Sequence, residues 1–234
     1  MSRGGQLVKN TAIVAFGRIC TKMLAFLLLP FYTAILSAEE YGTVDLFQTY
    51  IPLFIPLIVF QIEDAIFRFL IEIRADDEKK RELISTTFLF AMMQCSIFSI
   101  LFFLINSIVD ISHLEFLWSN TIITIFSGLF LQLARGLGDN YGYAVGSFLT
   151  AATTIMMNIL LVLVWKMGVE GMFWSIFLAN AVGIIYIGYR ERVLVYVRLS
   201  GFSVTVLKKM LDYSLPLIPN YLCWWILGAR DKSI

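Results

Sequence analysis

Charge is sparse in this sequence. Asp, Glu, Lys and Arg make up 15% of the 234 residues, while apolar types make up 59%. Soluble domains carry about a quarter charged residues and about half apolar ones, so an ordinary soluble domain is excluded. The net charge of +1 leaves no basic excess of the kind that grips nucleic acid. Histidine occurs once, at His113, alone between two apolar stretches, and no proton shuttle can be built on it. The three cysteines, Cys20, Cys95 and Cys223, are far apart, and each sits in an apolar stretch. They show neither metal-ligand spacing nor a disulfide framework and read as small buried apolar side chains. Ten-residue alternating strands are lacking, which argues against an outer-membrane barrel. There is no phosphate-binding G-x-x-x-x-G-K-[ST] loop, and Gly136-Leu-Gly138 lacks the third glycine and the preceding strand of a dinucleotide site. With no nucleophile–base pair and no metal-ligand cluster, the sequence predicts neither an enzyme nor a cofactor.

What is present is a series of long apolar runs. Seven spans can be drawn, at about 10–37, 43–70, 83–108, 115–135, 142–165, 170–189 and 213–229. The predicted fold is therefore an all-α, polytopic transmembrane helix bundle. Short glycine-bearing turns separate several spans, as at Ser37–Gly42 and Lys166–Gly171. The first run is too long for the apolar core of a signal peptide and is broken by charges, so it reads as a retained helix. If the helices alternate, Arg3, Lys9, Arg74, Lys79, Lys80, Arg81, Arg135, Arg190, Arg192, Arg198, Lys208 and Lys209 fall on one side. Lys166, Arg230 and Lys232 fall on the other. The excess of basic residues predicts that the first side, with the N-terminus, is cytoplasmic. Trp118, Trp165 and Trp174 lie at the opposite ends of their helices, as an interfacial aromatic belt requires.

Polar residues inside the spans are the candidates for function. Arg18 and Lys22 are one turn apart and roughly 10–17 Å in from Thr11 along a helix. A charge at that depth costs about 3 kcal/mol or more, so it faces a partner or a hydrated cavity. Pairing with Asp45, Glu63 or another carboxylate is one outlet and a ligand the other. Ser147, Thr150, Thr154 and Asn158 form a polar stripe on the fifth span, suited either to helix–helix hydrogen bonds or to a cavity wall. Gln94, Ser99, Thr121, Thr124, Gln132 and Asn180 add polar faces on neighbouring spans. Near the end of the second span, Asp64 and Arg68 are spaced for an intrahelical ion pair beside Glu63, as a paired helix end or as a gate. Asp45, near the other end of that span, is expected to cap or gate. All five prolines lie in spans: Pro30, Pro52 and Pro56, and the pair Pro216 and Pro219, where kinks and gating are expected. Arg74–Glu82 holds nine residues, all charged but Ala75, and reads as a solvated turn; Asp76-Asp77-Glu78 is a weak candidate for a metal-dependent sugar-nucleotide site. Phe202–Asp212 reads as an amphipathic helix on the membrane surface.

Several stretches, taken in order, resemble the bacterial polysaccharide-exporter family. These are flippases for lipid-linked O-antigen and related oligosaccharides, within the multidrug/oligosaccharidyl-lipid/polysaccharide exporter superfamily. They are Asn10–Gly17, Phe26–Thr33 and Glu40-Tyr-Gly42; Ala65-Ile-Phe-Arg68-Phe69; Tyr143–Ser147, Asn158 and Gly168-Val-Glu-Gly171; and Tyr213–Trp225. The tail Gly228–Ile234 resembles the family's Asp-Arg step only loosely. The family has two similar helical lobes facing each other across a cavity. The resemblance implies that residues 1–189 form one six-helix lobe, 190–212 a cytoplasmic connection and 213–234 the first helix of a second lobe whose remainder is missing, as in a truncated chain. It implies a bacterial inner-membrane protein that moves undecaprenyl-diphosphate-linked oligosaccharide from the inner to the outer leaflet by alternating access. Its partners are then membrane lipid and that substrate. Arg18 and Lys22 would contact the diphosphate, and Ser147, Thr154 and Asn158 the sugar hydroxyls. A multidrug antiporter of the same superfamily, a membrane-bound polysaccharide-assembly enzyme and an inactive fragment are the alternatives. The basic first helix disfavours the first, and the short connections disfavour the second.

Overall fold

The computed structural model describes residues 37–107 and 113–232. Arg18, Lys22, Cys20 and Pro30 lie outside the described residues. The described chain is helical, with no strand among its residues. Its helices are α1 (Ala38–Val59), α2 (Ile62–Ile73), α3 (Asp77–Asn106), α4 (Leu114–Leu137), α5 (Asn140–Asn158), α6 (Gly168–Arg190), α7 (Val193–Tyr196), α8 (Val204–Ser214) and α9 (Ile218–Lys232). A π-helical segment, Ile159–Val164, continues α5, and single 3₁₀ turns at Leu199–Gly201 and Leu215–Leu217 flank α8. Five of these stretches are long and apolar enough to cross a membrane, and only 22–39% of each is buried within the protein. The remaining apolar surface has no protein partner among the described residues and suits lipid.

Local chemistry sets the helix starts. Ser37 and Glu40 form a reciprocal capping box at α1. Asp76, Asp139 and Ser203 accept from backbone N–H groups at the starts of α3, α5 and α8. The second span therefore begins at Ala38 rather than at residue 43, and Asp45 lies two turns inside α1 instead of capping it. The acids of the Asp76–Glu78 run have local duties: Asp76 caps and binds Lys79, and Asp77 binds Lys80. Among the described residues no cluster of three or more potential metal ligands occurs.

The second span also differs from one kinked helix. Pro52 and Pro56 stay inside α1, and the break falls at Phe60 and Gln61, both left-handed (φ 52° and 55°). Each non-glycine residue in that region costs about 1–2 kcal/mol, so the surroundings must hold the break. They do so with Gln94 Nε2, which donates to the Ile58 carbonyl at 3.1 Å, and with Phe60 packed near Phe90. Gln61 is buried, and its Oε1 has no hydrogen-bond partner.

Two apolar cores lie along the bundle. One joins α2, α3 and α4 through Ile62, Ile66, Leu70, Ile84, Leu129 and Leu133. The other, at the far end, joins α1, α4 and α6 through Val44, Phe47, Leu117, Met172 and Phe173. Glycines let the helices approach. A Cβ on Gly136 would lie 2.8 Å from Leu70 Cβ, and one on Gly146 would lie 2.8 Å from Ile187 Cδ1. Because Leu70 Cβ is fixed to its own backbone, Gly136→Ala must push α2 from α4. It is expected to destabilise the protein by about 1–3 kcal/mol, read as a lower thermal midpoint in detergent. An unchanged midpoint would show a looser contact.

Candidate functional site

One end of the bundle collects the turns after α2, α4 and α6. Arg74, just past α2, donates from Nε to the Gly136 carbonyl at 2.6 Å and from Nη2 to the Arg135 carbonyl at 3.2 Å, capping α4. Gly138 ends α4 at φ 97°, a conformation that favours glycine. Asp139 then caps α5 and pairs with Arg190 at the end of α6, with Nη2 3.2 Å from Oδ1 and Nε on Oδ2. Glu191 sits beside them with its side chain 14% exposed. Burial alone would raise the Asp139 carboxyl, but hydrogen bonds from Arg190 and the Gly142 N–H prevail and pull it from 3.8 to about 2. Burial first, and the neighbouring Asp139 second, raise Glu191 from 4.5 to about 7. The opposite end is aromatic. Trp118 Nε1 donates to Ser99 Oγ at 2.9 Å, and Phe116 contacts both Phe173 and Trp174.

A polar chain runs between helices from the break toward the basic end. Tyr221 of α9 donates to Asp64 Oδ2 at 2.7 Å. Gln132 Nε2 of α4 donates to Asp64 Oδ1 at 3.3 Å. Arg135 donates to Gln132 Oε1 at 2.9 Å, and its guanidinium lies over Phe67 at 4.4 Å and Tyr143 at 5.2 Å. Glu63, next to Asp64, is half-buried with its carboxyl against Gly128. About three turns before the break, α9 is tied to α1 as well: Trp225 Nε1 donates to the Thr49 carbonyl at 2.7 Å. Tyr213, before the 3₁₀ turn that contains Pro216, meets Phe69 edge-on at 6.0 Å. The arrangement fastens α8 and α9 along α1 and α2 through one carboxylate, one carbonyl and two ring contacts, Tyr213 on Phe69 and Trp225 on Tyr50.

The profile of the family described as "Polysaccharide biosynthesis protein" matches residues 7–232. The chain belongs to that family. Two curated Haemophilus influenzae proteins, "Uncharacterized membrane protein" and "Lsg locus putative protein 1", are each 33% identical over 63 and 64 residues, 27% of this chain and 16% of theirs. Among solved structures, MATE in complex with Br-NRF matches with TM-score 0.68 at 21% identity, over 97% of this chain and 60% of that one. An outward-facing multidrug resistance MATE transporter of the MOP superfamily matches at TM-score 0.63 and 19% identity, over 95% and 55%. A MOP superfamily transporter from Pyrococcus furiosus matches at 0.62 and 18%, again over 95% and 55%. These likenesses show the fold, and the chain spans little more than half of each structure. It is a multi-pass membrane protein of the polysaccharide biosynthesis family.

The structure brings together only some of the residues singled out in this family member's sequence. Asp64 is a hub, but Arg68 is not its partner: Arg68 pairs with Glu72, one turn further on, at an exposed position. Helix spacing permits either pair, and Asp64 is turned toward α9 and α4 instead. Thr150 and Thr154 return their hydroxyls to the carbonyls of Gly146 and Thr150 at 3.0 and 2.9 Å. Thr150 also packs against Gly183, so at that one position the stripe meets a neighbouring helix. Ser147 and Thr154 are half-buried, and Asn158 is buried where the α-helix becomes π. Pro216 sits in the 3₁₀ turn between α8 and α9, and Pro219 opens α9, as expected of a kink. Cys95 is buried, whereas Cys223 is exposed on α9. Sequence reasoning missed Tyr221 and the role of Arg135. Tyr221 adjoins Pro219-Asn220, yet nothing in its spacing indicates a carboxylate on α2.

Two outcomes are expected. Tyr221→Phe and Asp64→Asn should be non-additive in stability by about 0.5–3 kcal/mol in a double-mutant cycle; strict additivity would show that the pair does not interact. For the basic end, folded Glu191 holds its proton to a higher pH than the unfolded chain does. Stability should therefore fall as pH rises from about 4.5 to about 7. The Asp139 contribution acts oppositely, being present above 3.8 and lost toward 2. Glu191→Gln should abolish the fall between pH 5 and 7 in denaturation midpoints, and a persistent fall would place the titration elsewhere.

Proposed function

We propose that this chain is part of a transporter that moves a lipid-linked oligosaccharide between membrane leaflets. In this reading residues 1–189 form one lobe, 190–212 a cytoplasmic connection and 213–234 the first helix of a second lobe. The N-terminus faces the cytoplasm of a bacterial inner membrane. The observation that carries the reading is the family match over residues 7–232, which associates the chain with polysaccharide assembly. The fold supports movement rather than bond chemistry, because its known relatives in shape are transporters. The substrate is an undecaprenyl-diphosphate-linked repeat unit. Arg18 and Lys22 hold its diphosphate, since an anion away from bulk water needs fixed cations. Ser147, Thr154 and Asn158 offer hydrogen bonds to sugar hydroxyls.

Alternating access requires the seam between lobes to open and close. Tyr221–Asp64 and Trp225–Thr49 are the bonds that close it in this state. The 3₁₀ turn at Pro216, with Pro219 beyond it, is the hinge about which α9 leaves α2. Asp45, Glu63 and Arg68 lie along the same two helices and adjust the charge of the gate. A second reading, export of a cationic drug, draws on the Glu63–Asp64 carboxylates and on the MATE likeness.

A full-length family member in vesicles loaded with lipid-linked oligosaccharide separates these readings. Replacing the counterparts of Arg18 and Lys22 by Gln should slow transfer at least about tenfold, as loss of about 1.4 kcal/mol of substrate or transition-state binding would. Tyr221→Phe should change the rate while leaving substrate binding intact. Normal transfer by a correctly inserted Arg18/Lys22 double variant would sink the proposal, and efflux of cationic drugs abolished by Asp64→Asn would favour the second reading.

A further inference from the structure

A cavity of about 230 Å³ opens at the basic end, between α2, α3 and α8. None of the residues that line it belongs to the polar chain at Asp64. Its floor is apolar, made by Phe69, Ile73, Leu83 and Met210, and Leu83 and Met210 are buried. Its rim carries Lys79 and Lys209, with the carboxylate of Glu82. Lys79 spends one donor on Asp76, at 2.9 Å, and keeps others. Lys209 forms no ion pair among the described residues and lies beside Lys208 on the exposed face of α8.

The surroundings are those of a membrane surface. In the connection leading to α8 and in α8 itself, Leu194, Leu199 and Val204 are 87%, 85% and 70% exposed, interleaved with Arg192, Arg198 and Lys208. Large apolar side chains that open to the outside beside lysine and arginine suit the boundary between headgroups and acyl chains. The connection is nevertheless held in place. Ser85 Oγ donates to the Tyr196 carbonyl at 2.7 Å, and the Ser203 N–H donates to Thr86 Oγ1 at 3.0 Å. A cavity mouth at a fixed position in that boundary meets lipid rather than free solute.

We propose that this cavity binds one anionic phospholipid from the adjoining leaflet, with its phosphate between Lys209 and Lys79 and the start of an acyl chain on the Phe69–Met210 floor. The volume is below the roughly 300–1,000 Å³ of pockets that enclose a whole drug-sized ligand. It takes one end of a lipid and leaves the rest in the bilayer. Charge selects the headgroup, and the apolar floor selects a lipid over a free phosphate. Glu82 favours a headgroup with hydroxyls that can donate to it, as phosphatidylglycerol has, over one with a second anionic group. Bound there, the lipid braces α8 against α2 and α3. The inference does not depend on what the protein transports.

Native mass spectrometry of the purified chain, titrated with phosphatidylglycerol or phosphatidylcholine, tests this. Phosphatidylglycerol should give one tightly held adduct that phosphatidylcholine does not. Lys209→Gln should weaken that adduct about fivefold, the effect of one surface lysine on anionic lipid, and Lys208→Gln, outside the cavity, should leave it unchanged. Val206→Trp should fill the cavity and remove the adduct with every charge in place, while unchanged far-ultraviolet circular dichroism shows the fold intact. Inorganic phosphate at millimolar concentration should not compete. Equal binding of both lipids, equal loss in the two lysine variants, survival of the adduct in a folded Val206→Trp protein, or displacement by phosphate would each overturn it.

Discussion

A polar group placed among apolar helices has to find its partner within the protein, because lipid offers none. The Asp64 carboxylate shows how far that requirement reaches. It accepts hydrogen bonds from Tyr221 on α9 and Gln132 on α4, and Gln132 in turn accepts one from Arg135. Three helices distant in sequence are registered against one another by this chain. The same requirement explains Gln94, whose amide reaches a carbonyl freed where α1 ends. It explains Arg74 too, which covers the last carbonyls of α4.

The break at Phe60–Gln61 follows from packing rather than from local preference. Prolines remove helix hydrogen bonds, yet Pro52 and Pro56 remain inside α1, while two residues with no intrinsic taste for left-handed backbone make the turn. Partners on α3 repay the strain, and α2 is redirected so that Leu70 meets Gly136 and Asp64 meets α9. The neighbouring turn at Pro216 does behave as proline chemistry predicts, since its 3₁₀ form has less need of the missing N–H.

The two ends of the bundle are built from different physics. At one end arginines and carboxylates cap helices and pair across turns, which fixes charge at the edge of the apolar slab. At the other, stacked and edge-on aromatic rings provide large contact areas with a polar handle in Trp118. This polarity is what makes a lipid-binding cavity at the basic end and a gate between α9 and α2 physically reasonable in one molecule.

Much of this was written in the one-dimensional pattern. Length and continuity of apolar runs determine that helices cross a membrane, since a span must match the thickness of the hydrocarbon core. The placement of Arg74, Arg135 and Arg190 against Trp118 and Trp174 determines which helix ends lie together. The amphipathic stretch before Tyr213 is legible from its period alone. What the tertiary structure decided are choices between equivalent local options. Arg68 could pair with Asp64 or Glu72 at the same helical spacing, and only the approach of α9 and α4 turns Asp64 away. Thr150 could face a cavity or a helix, and Gly183 draws it to the helix. Tyr221 carries no mark of its partner, because the contact joins positions 157 residues apart in sequence. Periodicity encodes which face of a helix is apolar; it does not encode which neighbour that face, or the polar group within it, will meet.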